Sequence, residues 1–362
     1  MADRTISCPE AAPLASSYTR YIAGKRIILF SELLLLLLLI AVSVSLGAVT
    51  IPLFDTIKTL LLAHCSSRYD AIILGVRLPQ ALTAVVAGAG LAVAGAVMQI
   101  ILQNPLGSPF TLGIANAAAF GAAFSVMLLG SGVMHSTGAD AVTILSPYQT
   151  TLAAFACALI ASGVILLLAR LKQASPEVML LAGVTMNSLF AAGTMFLQYF
   201  ADDVQLAAMV FWTFGDVGRT SWFELELITI VSLIVIGYFL LNRWSFNALT
   251  LGDETAQGLG VSVGVVRMVG MTAASLLTAV SIAFIGVISF VGLVAPHIAR
   301  RLVGEDYRFF LPCSLLTGAL LLLASDLAAR LLLAPRVLPV AILTAFLGAP
   351  VFMYLLIRGY KR

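Results

Sequence analysis

The residues of this chain that could carry acid–base, metal or nucleophilic chemistry are few and scattered. Only three histidines occur, His64, His135 and His297, and none belongs to an HExxH pair that would hold zinc on one helix face. There is no GxSxG nucleophile turn, and no pair of aspartates stands on facing apolar segments. A glycine-rich loop of the form GxxxxGK[ST], which would cradle phosphates, is also missing, so the chain cannot hydrolyse ATP by itself in the usual way. Cys8, Cys65, Cys157 and Cys313 lie far apart without metal-ligand spacing, and no disulfide framework is expected.

Among the charged residues inside apolar runs, three are candidates for chemistry at membrane depth. Glu32 lies about one turn into the first run and is expected to snorkel to the nearer face. Asp326 is seventeen residues beyond Phe309, roughly 25 Å along a helix rising ~1.5 Å per residue, which places it near the opposite interface. Arg330 follows at i+4 in the favourable acid-first order, so an interfacial ion pair is the plainer reading and a proton-coupling site the sharper one. Asn116, Asn187 and Gln198 suit helix–helix hydrogen bonds or a hydrated path equally well.

The elements that must position these groups are membrane helices. The composition is 61% hydrophobic and only 10% charged, against an apolar half and a charged quarter in ordinary soluble domains. Apolar runs of about twenty residues recur along the whole length. They fall near 27–49, 78–102, 110–130, 148–170, 177–199, 222–241, 265–284, 286–302, 309–331 and 337–357. The first is too long for a secretory signal core of roughly 15 residues and reads as an uncleaved span. The expectation is an all-α integral membrane protein of about ten transmembrane helices, with residues 1–26 as a leader and 27–362 as one ten-helix domain.

Orientation follows from lysine and arginine, which accumulate in cytoplasmic loops. With both termini inside, only Lys58, Arg68, Arg77, Arg219, Arg330 and Arg336 fall outside, and the other fourteen of the 20 basic residues fall inside. An odd number of spans would move the Arg358–Arg362 cluster outside. The glycine- and alanine-rich run from Ala84 to Gln99 reads as a tightly packed helix, with a pore-lining face as the alternative. Between the sixth and seventh spans, Asn247 to Arg267 is polar, broken by Gly258, Gly260 and Gly264, and larger than a turn requires. A docking surface for a soluble partner and a solvated connector both fit it.

Several blocks of this sequence resemble the FecCD-type permeases, the membrane subunits of type II ABC importers for siderophores, haem and cobalamin. GDETAQGLGV from Gly252 looks like their coupling segment. RLPQALTAVVAGAGLAVAGAVMQIILQNPLGSPFTLGIANAAAFGAA from Arg77, LLAGVTMNSLF from Leu180, FWTFGDVGR from Phe211, FIGVISFVGLVAPHIARRLVGEDYR from Phe284 and LPVAILTAFLGAPVFMYLL from Leu338 agree in order and spacing. Together they cover nearly all of the chain after the first span.

The resemblance implies a central path enclosed by a homodimer, or by this chain paired with a homologous permease, in the lipid of the bacterial inner membrane. Two ABC ATPase subunits would bind below and a periplasmic or lipoprotein substrate-binding protein would dock above. It implies no cofactor and no metal on this chain, with ATP and Mg on the ATPase, and no nucleic acid as partner. Within the coupling segment 247–264 it assigns ATPase coupling to Gly252, Asp253, Glu254, Ala256, Leu259, Gly260 and Val261. Acids at a helix start suit the macrodipole, and glycines let the segment fold back. It assigns the cytoplasmic gate to Asn104 and Leu106 together with Ser175, Pro176 and Glu177, the last departing from the small hydroxyl residues of some relatives. Binding-protein docking falls to Arg77, Arg330 and Arg336, lipid headgroup anchoring being the plain alternative, and Gln80 stands where some relatives carry another arginine. The cargo implied is an iron-siderophore or related metal chelate, with haem and cobalamin open. A proton-coupled carrier working alone would need a titratable midplane group and would leave residues 247–267 unexplained.

Overall fold

The structure, a computed structural model, describes residues 11–47, 51–60, 67–130, 132–134, 142–144, 147–333 and 337–359. The first half runs through α1 Ala11–Ser45, α2 Leu53–Leu60, α3 Ser67–Ile72, α4 Leu78–Ile101, α5 Ile114–Leu128, α6 Pro147–Leu171 and α7 Pro176–Phe200. It continues through α8 Asp203–Thr213, α9 Trp222–Leu241, α10 Arg243–Leu249, α11 Asp253–Gly258, α12 Val263–Ile285, α13 Val291–Val303, α14 Tyr307–Leu332 and α15 Val340–Gly359. A π-helical stretch, Ile73–Arg77, joins α3 to α4. One small antiparallel ladder, β1 Gly132–Met134 on β2 Val142–Ile144, interrupts the all-helical pattern.

Among the described residues seven helical stretches are long and apolar enough to cross a membrane, and Ile114–Leu128 and Val340–Tyr354 are shorter apolar helices. The segments expected as spans 110–130 and 286–302 hold helices shorter than the expected spans. Their helices are the 15-residue α5 and the 13-residue α13, roughly 20 Å each at 1.5 Å per residue and too short for a ~30 Å core. Irregular backbone precedes each of them. Pro105, Pro109 and Gly113 (φ +75°) delay α5, and Gly286 (φ +79°) with Phe290 (φ +65°) delays α13. Such backbone is tolerated at membrane depth only where protein covers it. Here Gly113 lies against Asn187 of α7, and Gly286 against the Trp212 carbonyl.

The bundle is organised around α4. Almost every residue from Ala84 to Gln99 is buried, so the packing reading of that run holds and its faces meet neighbouring helices. A Cβ on Gly95 would sit 1.7 Å from the Gly292 carbonyl oxygen of α13, and one on Gly88 would sit 2.4 Å from that of Gly318 on α14. Only glycine permits these approaches, and close backbone contact replaces the hydrophobic drive that lipid removes. By contrast α1 and α7 turn most of their apolar surface outward. α1 starts well before its apolar run, so residues 11–26 of the expected leader continue the first spanning helix.

Two ends of the bundle matter for function. The α4 C-terminus and the starts of α7, α12 and α14 lie at the end that carries α10 and α11, called the coupling end after the segment expected to couple. The α4 N-terminus and the C-termini of α1 and α14 lie at the far end.

Candidate functional site

At the coupling end, α10 is fixed by aromatic packing and by one amide. Phe246 stacks within 6.0 Å of Phe239 and 5.7 Å of Tyr307. The Asn247 side chain donates to Asp306 at 3.2 Å and accepts from the Tyr307 backbone N–H at 2.8 Å, which ties α10 to the start of α14. Burial opposes ionisation of Asp306, but hydrogen bonds from the Arg308 side chain and backbone and from Asn247 outweigh it and hold its carboxyl at about 2.

Gly252 (φ +95°) and Gly260 (φ +84°) bracket α11, and neither has a neighbour where a Cβ would go. A side chain at either position is therefore disfavoured by backbone conformation and not by space. Ala256 is fully buried, Val261 packs partly against the core, and Leu259 is 63% exposed with Glu254 and Gln257 exposed beside it. Of the apolar coupling residues, then, Leu259 faces outward, whereas Ala256 and Val261 seat the segment on its own bundle.

Asp253 does more than complement a helix start. Its carboxylate receives a two-pronged ion pair from Arg267, Nη1 to Oδ2 and Nη2 to Oδ1, both at 2.8 Å. Oδ1 also accepts from Nε2 of Gln103 at 2.8 Å. Arg267 is on the second turn of α12 and only 4% exposed, while Asp253 is 37% exposed. Charge alone marks Asp253 in the sequence; Gln103 and Arg267 carry no local signal, because neither is at a helical spacing from it.

The gate positions are held by short-range bonds. Asn104 accepts from the Leu106 N–H at 2.8 Å, and Ser108 and Thr111 exchange backbone and hydroxyl bonds through the same turn. Leu106 is left exposed. At the start of α7, Ser175 donates to Glu177, and Pro176 occupies the first helical position, where its missing N–H costs nothing. Arg267 lies within electrostatic reach of Glu177. No hydrogen bond or ion pair among the described residues joins 104–106 to 175–177. Deeper in the bundle, Asn116 donates to Asn187 at 2.8 Å, which decides for the helix–helix bond between α5 and α7.

The far end holds the arginines expected to receive a docking protein. Arg77 is 6% exposed and donates to the Val44 and Ser45 carbonyls at 2.9 and 2.8 Å. Arg330, also buried, donates to the Ser43 carbonyl at 3.2 Å and to the Ser43 hydroxyl at 2.6 Å. Both guanidinium groups therefore lie on the C-terminal carbonyls of α1, where the helix dipole favours cations. Arg77 and Arg330 are thus far less exposed than expected of a docking surface, each directing N–H donors onto α1. Arg336 lies outside the described residues. The Asp326–Arg330 pair forms at 3.0 Å, and Gln80 donates to Asp326 at 2.9 Å. It is buried between helices. Glu32 is corrected: it accepts from Thr317 of α14 at 2.9 Å inside the bundle and does not snorkel.

Residues 34–358 match the FecCD transport family. The chain belongs to that family. Among its relatives, MJ0087 of Methanocaldococcus jannaschii, assigned as an ABC transporter permease protein, is 53% identical over 83% of this chain and 86% of its own length. The hemin transport system permease protein HmuU of Yersinia pestis is 35% identical over 92% of this chain and 96% of its own. A solved ABC transporter assigned to the metal-chelate type, in an inward-facing conformation, superposes with a TM-score of 0.79 at 30% identity over 92% of this chain and 99% of its own. This FecCD protein is the multi-pass membrane permease of an ABC importer of the metal-chelate type, and is not itself an enzyme. Such a permease implies ATPase and binding-protein partners. Among the described residues, no group of three His, Cys, Asp or Glu side chains could hold a metal.

Proposed function

We propose that two copies of this permease enclose a path for an iron-siderophore or a related metal chelate, with the coupling end in the cytoplasm and both chain termini on that side. The observation that carries the reading is the segment from Gly252 to Val261. It is seated on the bundle by Ala256 and the Asp253 ion pair, yet presents Leu259 and Glu254 outward, as a contact for a separate ATPase requires. The excess of basic residues at that end supports the orientation. The turn at Asn104–Leu106 and the helix start at Ser175–Glu177 make the inner gate, each facing its counterpart in the second copy. A binding protein docks at the far end. Residues 27–362 act as one domain.

Selectivity among chelates belongs to the binding protein. The hemin named for the Yersinia relative and the metal chelate named for the solved transporter are both bulky metal complexes, so haem remains the alternative cargo, with cobalamin beside it. The test is reconstitution with an ATPase subunit and a substrate-binding protein of the same importer class. The permease alone should release no phosphate from ATP, and Leu259→Asp should lose the ATPase on purification while keeping its helical content. Copurification of an intact Leu259→Asp protein with its ATPase would remove the coupling assignment.

A further inference from the structure

Asp253 spends its acceptor capacity inside the molecule. A carboxylate offers about four lone-pair sites on two oxygens, and three N–H donors, two from Arg267 and one from Gln103, occupy this one at 2.8 Å each. Its neighbour Glu254 is exposed and makes no such bonds. The two acids of the coupling segment thus do different things: Glu254 is free to meet a partner, and Asp253 is not.

What Asp253 grips is mechanically significant at both ends. Arg267 is buried and rides on α12, a 23-residue helix packed along α4. Gln103 is the residue immediately before Asn104, at the exit of α4, and its backbone sits at φ +47°. For a residue with a Cβ that left-handed conformation is disfavoured. The side-chain bond to Asp253 at 2.8 Å joins the backbone bonds from Gln103 N–H to the Ile100 carbonyl and from Asn104 N–H to the Gln99 carbonyl in holding this turn.

We propose that Asp253 is a positioning residue that delivers movement of the coupling segment to the gate turn through Gln103, with Arg267 as its anchor on α12. The inference rests on the reading of α11 as the ATPase contact. When α11 shifts, the fork carries Gln103 with it, and the Asn104–Leu106 turn follows because Asn104 holds the Leu106 N–H.

The experiment uses the full complex in proteoliposomes, with ATPase and loaded binding protein, and reads transport per ATP hydrolysed. Gln103→Leu removes one donor while leaving Leu259 and Glu254 untouched. The ATPase should still copurify, and the ratio should fall about three- to tenfold, the scale of one ordinary hydrogen bond, since Asp253 is partly open to solvent. Gln103→Glu, which sets a second carboxylate against Asp253, should fall further, and Gln103→Lys, which restores a donor, should recover most of the ratio. A merely structural role would lower transport and ATP hydrolysis in parallel and leave the ratio unchanged; that result, or a wild-type ratio in both Gln103→Leu and Gln103→Glu, overturns the proposal. Leu259→Asp serves as the separate control. Retention of the ATPase by that variant would count against the coupling surface itself, whatever Gln103 does.

Discussion

The two ends of this permease each bury an arginine against an aspartate, and they use the pair differently. At the far end Asp326 and Arg330 are one turn apart on the same helix and nearly inaccessible, 4% and 10% exposed, with their remaining bonds going to α1 and to Gln80. At the coupling end Arg267 is just as buried, but Asp253 is 37% exposed and belongs to a short helix of its own. The far network joins α1, α4 and α14 from all sides and has no free edge. The coupling network has one face in solvent and ends on a strained turn. The first arrangement fixes a shape; the second can be pulled.

The comparison is sharpened most by breaking the far pair. Arg330→Leu leaves Asp326 buried with its charge unpaired and removes one of the two arginines that cap α1, so a loss of about 3–5 kcal/mol is expected, seen as a large drop in the detergent unfolding midpoint. The double change Asp326→Leu/Arg330→Leu should recover part of it. If the single change costs no more than a surface substitution, the far network is not the rigid end.

Arg267→Leu should come next. Asp253 keeps its Gln103 bond and some solvent, so about 1–3 kcal/mol of stability is expected to go, with a much larger loss of transport than of fold. Equal losses in the two assays would make the ends alike. Arg77→Glu tests the same contrast through salt. A defect from a buried cap should persist at 1 M salt, where screening acts over only ~3 Å, whereas a docking contact on an open surface should show its strongest defect at low salt.

The smallest effect is expected at Asp306 and Arg308, a pair at 2.7 Å whose side chains are 24% and 33% exposed. Arg308→Ala should cost no more than about 1 kcal/mol. Because the folded carboxyl of Asp306 is held at about 2, below its ordinary 3.8, its contribution is present above the ordinary value and lost as pH falls through about 2. Unfolding midpoints of Asp306→Asn and the parent protein should therefore differ at pH 6 and converge toward pH 2.

Much of the architecture was legible without coordinates, for reasons that particular residues show. The first span and the Gly/Ala run of α4 announce themselves because lipid demands about twenty apolar residues and close packing demands small ones. Asp326 and Arg330 pair because four residues is one helical turn, a local fact. The absence of a phosphate loop and the order of the FecCD blocks are properties of the string and led directly to an ABC permease. What only the tertiary structure decided is where the polar groups end. That α5 and α13 stop short, that Glu32 turns to Thr317, that Arg77 and Arg330 fold inward onto α1, and that Asp253 reaches across 150 positions to Gln103 all depend on which helices are neighbours. A buried polar group must find a partner wherever packing brings one within about 3 Å, and sequence spacing carries no record of that distance once the partner lies on another helix.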